Sequence, residues 1–252
     1  MVFTASLAAH QKHTHTVIFL HGRGSSAREL SRQLWETHDW RGESVQHIFP
    51  SVKWVFPQAD EVYIERFQHY LREWSDIWDT RNPDERRELQ LPGLKVAVPQ
   101  LVKLIQAEAH PIGLQNVILA GISHGCATAV QALLNLPGTN SRLCAFVGLS
   151  GWMSLEGASA QECRDLLGLT TSDLSDDIYR NTPVFLGHCA DDSIVSIEQG
   201  KRLKNTLKAY GMTVTWKQYR DGGHWINSPQ GVEDIVAFLR SQGLGSPSID
   251  QG

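Results

Sequence analysis

The sequence lacks the features that mark membrane, secreted and nucleic-acid-binding proteins. None of its apolar runs approaches the ~20 residues that cross a bilayer. The first fifteen residues, MVFTASLAAHQKHTH, lack the basic start and the long apolar centre of a signal peptide. The net charge is −4 with acids and bases interspersed, whereas a nucleic-acid binder needs a basic patch. We therefore expect a cytoplasmic protein with no transmembrane segment and no nucleic-acid partner.

Cysteine and metal-ligand clusters are also scarce. The four cysteines of the 252 residues show no C-x-x-C spacing, and a disulfide framework is not expected at this size. Cys126 and Cys144 lie in apolar segments, where a free thiol behaves as a small buried hydrophobe. His10, His13 and His15 have no other ligands nearby in the sequence, so we predict no metal site.

The chain does contain apolar strand-like runs that alternate with amphipathic helix-like ones. Strands are predicted at residues 16–20, 53–56, 116–120, 144–149, 183–186 and 213–219, the second ended by Pro57. Helices are predicted at 26–40, 92–110, 127–136, 196–210 and 232–241, whereas 60–80 resist assignment. The alternation predicts a mostly parallel α/β sheet with helices on both faces, in one domain spanning 1–252. Residues 1–13 and 243–252 are expected to be frayed.

One serine stands in a pattern that carries chemistry. In LAGISHGCATAV, Ser123 lies between Gly121 and Gly125 where a strand-like run becomes a helix-like one. Such a G-x-S-x-G turn is the nucleophile elbow of α/β-hydrolases, whose glycines let strand and helix pack closely around a strained serine. The alternative is a glycine-rich turn with an incidental serine. The context of strand and small-residue helix favours the nucleophile.

A serine nucleophile needs a histidine base and an acid that orients it, in the chain order Ser, Asp, His for this fold. Asp191 and Asp192 follow one strand and supply the acid. Of the histidines after Ser123, only His224 follows the acid and lies in a loop after the last strand. A histidine base must be neutral, so activity should fall at acidic pH.

Acyl transfer also needs N–H donors for the oxyanion. One is expected from the backbone of His124, directly after the serine. The second is expected from the HGRG loop after the first strand, with the Arg23 N–H as the candidate. A phosphate loop is disfavoured because the G-x-x-x-x-G-K pattern is missing.

With these residues in view, the chain resembles the acyl-protein thioesterase and phospholipase/carboxylesterase family of the α/β-hydrolase superfamily. The resemblance spans nearly the whole chain and rests on HGRG, FPQA, GISHG, SGW, D-x-x-V and GGH. It implies Asp192 as the orienting acid, and the segment around REWSDIWDTRNPDERRELQLPGL is most similar to fungal members. It further implies hydrolysis of acyl esters or thioesters, for instance of an S-acylated protein, with no metal or organic cofactor, by a monomer or weak homodimer.

The chain departs from this family at three positions. His124 stands where the family usually has Gln, and its side chain is either merely tolerated or in contact with substrate. Ser75 replaces the aromatic residue of a Trp-Phe-Asp or Trp-Tyr-Asp motif, which would widen an acyl pocket, and Cys189 stands where Gly is frequent.

Three tryptophans are candidates for the walls of an apolar acyl pocket, with a place in the core as the alternative for each: Trp74, Trp152 and Trp225. Of these, Trp152 and Trp225 flank the expected site. The sequence thus predicts a serine esterase or thioesterase with Ser123, His224 and Asp192 as its triad. Two alternatives stay open: a non-catalytic protein that binds a small apolar ligand, and a peptide or lactone hydrolase with the same machinery.

Overall fold

The protein is described by a computed structural model at residues 3–169 and 175–245. Within these ranges nine β-strands and eight α-helices follow one another along the chain. The strands are β1 Phe3–Leu7, β2 His15–Leu20, β3 Val52–Gln58, β4 Glu61–Ile64, β5 His69–Arg72, β6 Val117–Ile122, β7 Ala145–Leu149, β8 Val184–Cys189 and β9 Val214–Tyr219. The helices are α1 Ala27–Trp35, α2 Val45–Ile48, α3 Gln90–Ala109, α4 His124–Leu134, α5 Ala160–Leu167, α6 Asp177–Asn181, α7 Ile197–Ala209 and α8 Gln230–Ser241.

Seven strands form one sheet in the order β1-β3-β2-β6-β7-β8-β9. Only β1 runs antiparallel to its neighbour in this sheet, and the other pairs are parallel. Strands β4 and β5 form a separate antiparallel hairpin. The predicted mostly parallel architecture is confirmed.

Alternate residues of each central strand face opposite layers of helices. In β2, Ile18 and Leu20 join the core cluster formed with α3, α4 and α7, while Val17 and Phe19 join the cluster formed with α1 and α8. Because the strands are buried on both faces, they read as continuous apolar runs, which is why the sequence revealed them.

Several boundaries differ from the sequence prediction. Residues 3–7, expected to be frayed, form β1 and pair with β3. Strand β3 continues through Pro57, which lies beyond the end of the pairing with β2 at Val55 and opposite Thr4 of the edge strand β1, where proline is tolerated. Residues 60–72, which had no assignment, contain the β4–β5 hairpin. Near the other end Leu244 is buried rather than frayed, and 246–252 lie outside the described residues.

Helix α3 begins two residues before the predicted start and contains Pro99, as the predicted span did. Helix α4 begins at His124 directly after the serine, three residues earlier than predicted. Among the described residues, no helix combines the length and the apolar character needed to span a bilayer.

Two glycines allow the start of α4 to press against the sheet. A Cβ at Gly125 would lie 2.4 Å from the Leu20 carbonyl oxygen and 2.5 Å from that of His21. A Cβ at Gly121 would lie 2.5 Å from the Gly125 carbonyl carbon and oxygen. Both contacts involve backbone atoms, which cannot move without shifting β2 or α4.

We therefore predict that Gly125→Ala destabilises the fold by about 2–4 kcal/mol, because the methyl group overpacks a backbone contact. The change is measured as the shift of the urea unfolding midpoint. Gly22→Ala is the control, since a Cβ there meets its nearest atom at 3.4 Å. Equal midpoints for the two variants would contradict the prediction.

Candidate active site

The predicted triad and oxyanion-hole residues follow the carboxyl ends of parallel strands. The HGRG loop follows β2, Ser123 follows β6, Asp192 follows β8 and His224 follows β9. These strands belong to one parallel stretch of the sheet, so their carboxyl ends share one edge. Side chains far apart in the sequence are thereby brought together at that edge, where ligands of open α/β sheets bind.

Ser123 occupies a strained turn between β6 and α4. Its backbone has φ 55° and ψ −124°, which is rare for a residue with a side chain. The Ser123 N–H donates to the Leu149 carbonyl at 2.8 Å, and the Ser123 carbonyl accepts from the Ala127 N–H at 3.1 Å. These bonds hold the turn on the sheet and at the amino end of α4, whose partial positive charge favours nearby negative charge.

Ser123, His224 and Trp225 line the same cavity, which has a volume of about 470 Å³. One part of its wall is apolar, from Leu30, Ile122, Ile194 and Trp225. The rest is polar and includes Arg23, Ser25, Glu29, Gln33 and Thr80. A wider groove of about 930 Å³ between β1 and α1 is lined by none of the predicted site residues.

Asp192 holds the ring of His224. The His224 Nδ1 lies 2.7 Å from Asp192 Oδ2, while Asp192 Oδ1 accepts from the backbone N–H groups of Ile194 and Val195, each at 2.9 Å. Since a carboxylate only accepts, the His224 proton sits on Nδ1 and the Nε2 lone pair is left for another group.

The carboxylate of Asp192 is buried yet strongly stabilised in its ionised form. Burial by itself would raise the pKa of Asp192, but hydrogen bonds from two imidazoles and from the Val195 N–H hold that pKa well below its usual range. The second imidazole is His188, whose Nε2 lies 3.3 Å from Asp192 Oδ2 and 3.0 Å from the Val195 carbonyl. No local sequence pattern indicates this contact between His188 and the acid.

The adjacent Asp191 has a different task. Its carboxylate accepts from the N–H groups of Gly222 and Gly223, at 3.3 Å and 2.9 Å. The two aspartates thus bind different parts of one loop: Asp191 binds the glycine backbone, and Asp192 binds the imidazole of His224 that follows it.

In the HGRG loop, the ring of His21 fixes the peptide between Gly22 and Arg23. Its Nε2 accepts from the Ala59 N–H at 3.0 Å, so its proton sits on Nδ1, which donates to the Gly22 carbonyl at 2.7 Å. Burial lowers the pKa of His21 to about 4, which keeps the ring neutral. Because a trans peptide points its carbonyl and N–H in opposite directions, the Arg23 N–H faces away from this ring. Gly22 lies beside Ser123, and a Cβ there would be 3.8 Å from the serine Oγ.

The side chain of Arg23 is tied down in the interior. Its Nε donates to the carboxylate of Glu73, and one Nη donates to the Ile77 carbonyl at 2.9 Å. Burial raises the pKa of Glu73 to about 7 although Arg23 opposes the shift. No local sequence pattern indicates this pair, because the partners are fifty positions apart.

The imidazole of His124 is fully buried and does not line the serine cavity. Its Nε2 lies 3.0 Å from the Ser75 hydroxyl, and its ring stacks on Trp152 with centroids 5.8 Å apart. Burial lowers the pKa of His124 to about 3, with smaller contributions from Arg23 and His21, so the ring is neutral. Of the two interpretations of this side chain, the geometry favours an internal packing role over substrate contact.

Two of the three predicted pocket tryptophans lie elsewhere. Trp152 is fully buried, in a small cluster with Ile77 and Val195 behind the site. Trp74 is buried as well, and its indole N–H donates to the His21 carbonyl at 2.9 Å. Both are drawn inside because large aromatic side chains gain most from burial. Trp225 does line the cavity, held by a 2.8 Å bond from its indole N–H to the Thr37 hydroxyl.

The four cysteines are unpaired and buried. Burial raises the pKa of Cys126 and of Cys163 to about 12, and the pKa of Cys144 and Cys189 to about 11. Cys189 packs against the loop that carries His224, since a Cβ at Gly222 would lie 2.8 Å from its sulfur.

Solved structures share this architecture. The acyl-protein thioesterase 2 of Zea mays superposes with a TM-score of 0.73 at 22% identity, covering 96% of this chain and 99% of that one. The esterase PE8 superposes with a TM-score of 0.69 at 24% identity, covering 95% of this chain and 98% of that one. The fold is therefore the α/β-hydrolase fold of esterases, as predicted.

Sequence comparison places the chain within that class. The profile of the phospholipase/carboxylesterase family matches residues 5–242. Acyl-protein thioesterase 1 of Gibberella zeae is 30% identical over 246 residues, covering 96% of this chain and 94% of the relative. That of Cryptococcus neoformans var. neoformans is 30% identical over 248 residues, with 91% and 92% covered. The chain belongs to the phospholipase/carboxylesterase family, and it is an enzyme, a hydrolase of the carboxylesterase type, as the sequence motifs indicated.

The buried carboxyl of Glu73 gives a prediction about stability. Its pKa in the folded chain, about 7, exceeds the ordinary value of 4.5, so only the folded chain keeps this proton between those pH values. The resulting stabilisation is complete below pH 4.5 and is lost as the pH rises through about 7. The unaltered chain should therefore lose thermal stability relative to Glu73→Gln between pH 5 and pH 8. Tm values of both proteins across this range test it, and a difference independent of pH would contradict it.

Proposed function

We propose that this protein hydrolyses carboxylic esters or thioesters of acyl chains through a Ser123–His224–Asp192 triad and an acyl-enzyme. The observation that carries the proposal is the 2.7 Å bond between His224 Nδ1 and Asp192 Oδ2, in a cavity that His224 shares with Ser123. The strained backbone of Ser123 supports it, because such strain is typical of a nucleophile elbow.

In the first step Ser123 Oγ attacks the acyl carbonyl carbon and its proton passes to Nε2 of His224. The carbonyl π electrons move to the oxygen, which becomes an oxyanion held by the N–H groups of Arg23 and His124. Asp192 stabilises the imidazolium that forms and does not take the proton itself.

The tetrahedral intermediate then collapses. The carbon–sulfur or carbon–oxygen bond of the substrate breaks, the leaving thiol or alcohol takes the proton from His224, and the acyl group stays on Ser123. A water molecule then gives a proton to His224 and attacks the acyl carbon. Release of the carboxylic acid returns the proton to the serine.

The substrate class follows from the relatives and the cavity together. The fungal relatives bear the name acyl-protein thioesterase 1, which suggests an S-acylated protein as one substrate. The apolar part of the cavity wall, which includes Leu30, Ile194 and Trp225, offers a surface for the acyl chain. The polar part, with Ser25 and Glu29, suits the hydrated leaving group. A cytoplasmic location and a monomeric or weakly dimeric state stay predictions.

Ser123→Ala should abolish hydrolysis and labelling by a fluorophosphonate probe, because the proposed acyl-enzyme forms on the Ser123 hydroxyl. The measurement compares both proteins on a chain-length series of p-nitrophenyl esters and acyl thioesters. Retained hydrolysis in Ser123→Ala would overturn the triad. Ligand binding without turnover in the unaltered chain would favour a non-catalytic binding protein. Turnover of peptides or lactones alone would favour a peptide or lactone hydrolase.

Asp192→Asn should lower kcat by about 10³- to 10⁴-fold, because an amide no longer fixes the proton on Nδ1 of His224. The matched control is Asp191→Asn, whose side chain bonds only the neighbouring glycine loop. It should lose less than about tenfold, since an amide oxygen still accepts one of the two N–H groups. Equal losses in the two variants would show that Asp192 merely holds its loop.

A further inference from the structure

Three consecutive residues, Glu73, Trp74 and Ser75, follow strand β5 and are all buried, with 3%, 4% and 2% of their surface exposed. Each bonds a different part of the two loops that carry the candidate oxyanion donors. Nothing in the triad requires these contacts, and they connect segments about fifty residues apart in the sequence.

The first contact fixes Arg23. Its guanidinium donates to Glu73 and to the carbonyl of Ile77. Two hydrogen bonds to one segment therefore hold the side chain of Arg23, whose backbone N–H is a candidate donor. Because the guanidinium group is planar and rigid, these two hydrogen bonds leave the Arg23 side chain little freedom to rotate.

The second contact fixes the residue that begins the same loop. The indole N–H of Trp74 donates to the His21 carbonyl at 2.9 Å, and the two rings lie with centroids 5.0 Å apart. Since the His21 ring in turn bonds the Gly22 carbonyl, Trp74 acts on the peptide that presents the Arg23 N–H.

The third contact fixes His124, the second candidate donor. The Ser75 hydroxyl lies 3.0 Å from His124 Nε2, and Nδ1 has no partner among the described residues. A buried N–H without a partner is costly, whereas a bare lone pair is less so, and the proton therefore sits on Nε2 and is donated to Ser75. The hydroxyl is thus the polar anchor of this side chain.

Helix α3 supports the segment from behind. A Cβ at Gly93 would lie 2.5 Å from the Ser75 Cα and 2.9 Å from the Trp74 carbonyl oxygen. The backbone of the segment therefore rests directly on the helix backbone and cannot retreat from the loops it holds.

We propose that Glu73–Trp74–Ser75 is a positioning element of the oxyanion hole, which sets the separation of the Arg23 and His124 N–H groups. One rigid segment contacts both donor loops, so it adds a second restraint on their relative placement to the backbone contact between α4 and the end of β2. This inference rests on the proposed function. In it Ser75 and Glu73 are positioning residues, because they act through His124 and Arg23 and not on the substrate.

Two variants test the element. Ser75→Ala deletes one hydroxyl, and Arg23→Met removes the tether while keeping the backbone N–H. Each should lower kcat by about 10- to 100-fold with KM changed less than about twofold, because a displaced donor weakens binding of the transition state only. The affinity for a trifluoromethyl ketone, which forms a tetrahedral adduct with serine, should fall by the same factor as kcat/KM.

Matched controls separate positioning from general destabilisation. Ser44→Ala removes another buried hydroxyl next to a histidine ring, at 3.3 Å from His47 Nδ1, and Lys53→Met removes the cation paired with Glu108. Both lie away from the cavity and should leave kcat within about twofold. If Arg23→Met does not fold, Ser75→Ala decides the matter.

A double-mutant cycle asks whether Ser75 acts through His124. In a His124→Leu background, Ser75→Ala should cause no further loss of kcat, since the imidazole it anchors is gone. Independent, multiplicative losses would overturn the proposal. So would a kcat for Ser75→Ala equal to that of Ser44→Ala, or a loss that appears in KM.

Failure of the positioning element is distinguishable from failure of the triad. If the unaltered chain reacts with the fluorophosphonate at Ser123 and hydrolyses esters, while Ser75→Ala and Arg23→Met retain full kcat, only the positioning proposal falls. If Ser123→Ala retains hydrolysis, the proposed function falls and the positioning proposal falls with it.

Discussion

The site depends on one close approach, between the first turn of α4 and the end of β2. The Leu20 and His21 carbonyl oxygens lie where a Cβ at position 125 would be, so only glycine fits there. This contact brings the serine turn beside the loop after β2, and each supplies one candidate oxyanion donor. The serine and both candidate donors therefore lie at the junction between the backbone of α4 and that of β2.

Local features of the site could be predicted from the sequence, because local patterns carry them. The G-x-S-x-G turn needs glycines at fixed positions for steric reasons, so the motif can be recognised within five residues. The central strands are buried on both faces and therefore stand out as apolar runs. The order of serine, aspartate and histidine along the chain picked out side chains that the parallel strands bring to one edge. Of the predicted pocket residues, only Trp225 lies in the cavity wall.

Contacts between distant segments could not be predicted. Strand β1 exists because it pairs with β3 about fifty residues later, and a short terminal run shows no such partner in the sequence. Ser75 and His124 each stood out as a departure from the family, but only the structure shows that they touch. His188 precedes the acid in the sequence and so does not fit the order expected of the base, yet its ring contacts the Asp192 carboxylate in the structure. Such pairings are set by tertiary packing, which single-residue patterns do not encode.

The burial of the four cysteines has a chemical consequence if acyl thioesters are hydrolysed as proposed. An exposed thiolate would exchange with an activated acyl group and turn the enzyme into its own acceptor, and it would also be oxidised readily. With every sulfur enclosed and protonated at neutral pH, transthioesterification onto the protein is suppressed. In the proposed mechanism a hydroxyl can therefore carry the acyl group in a molecule that contains four inherently better nucleophiles.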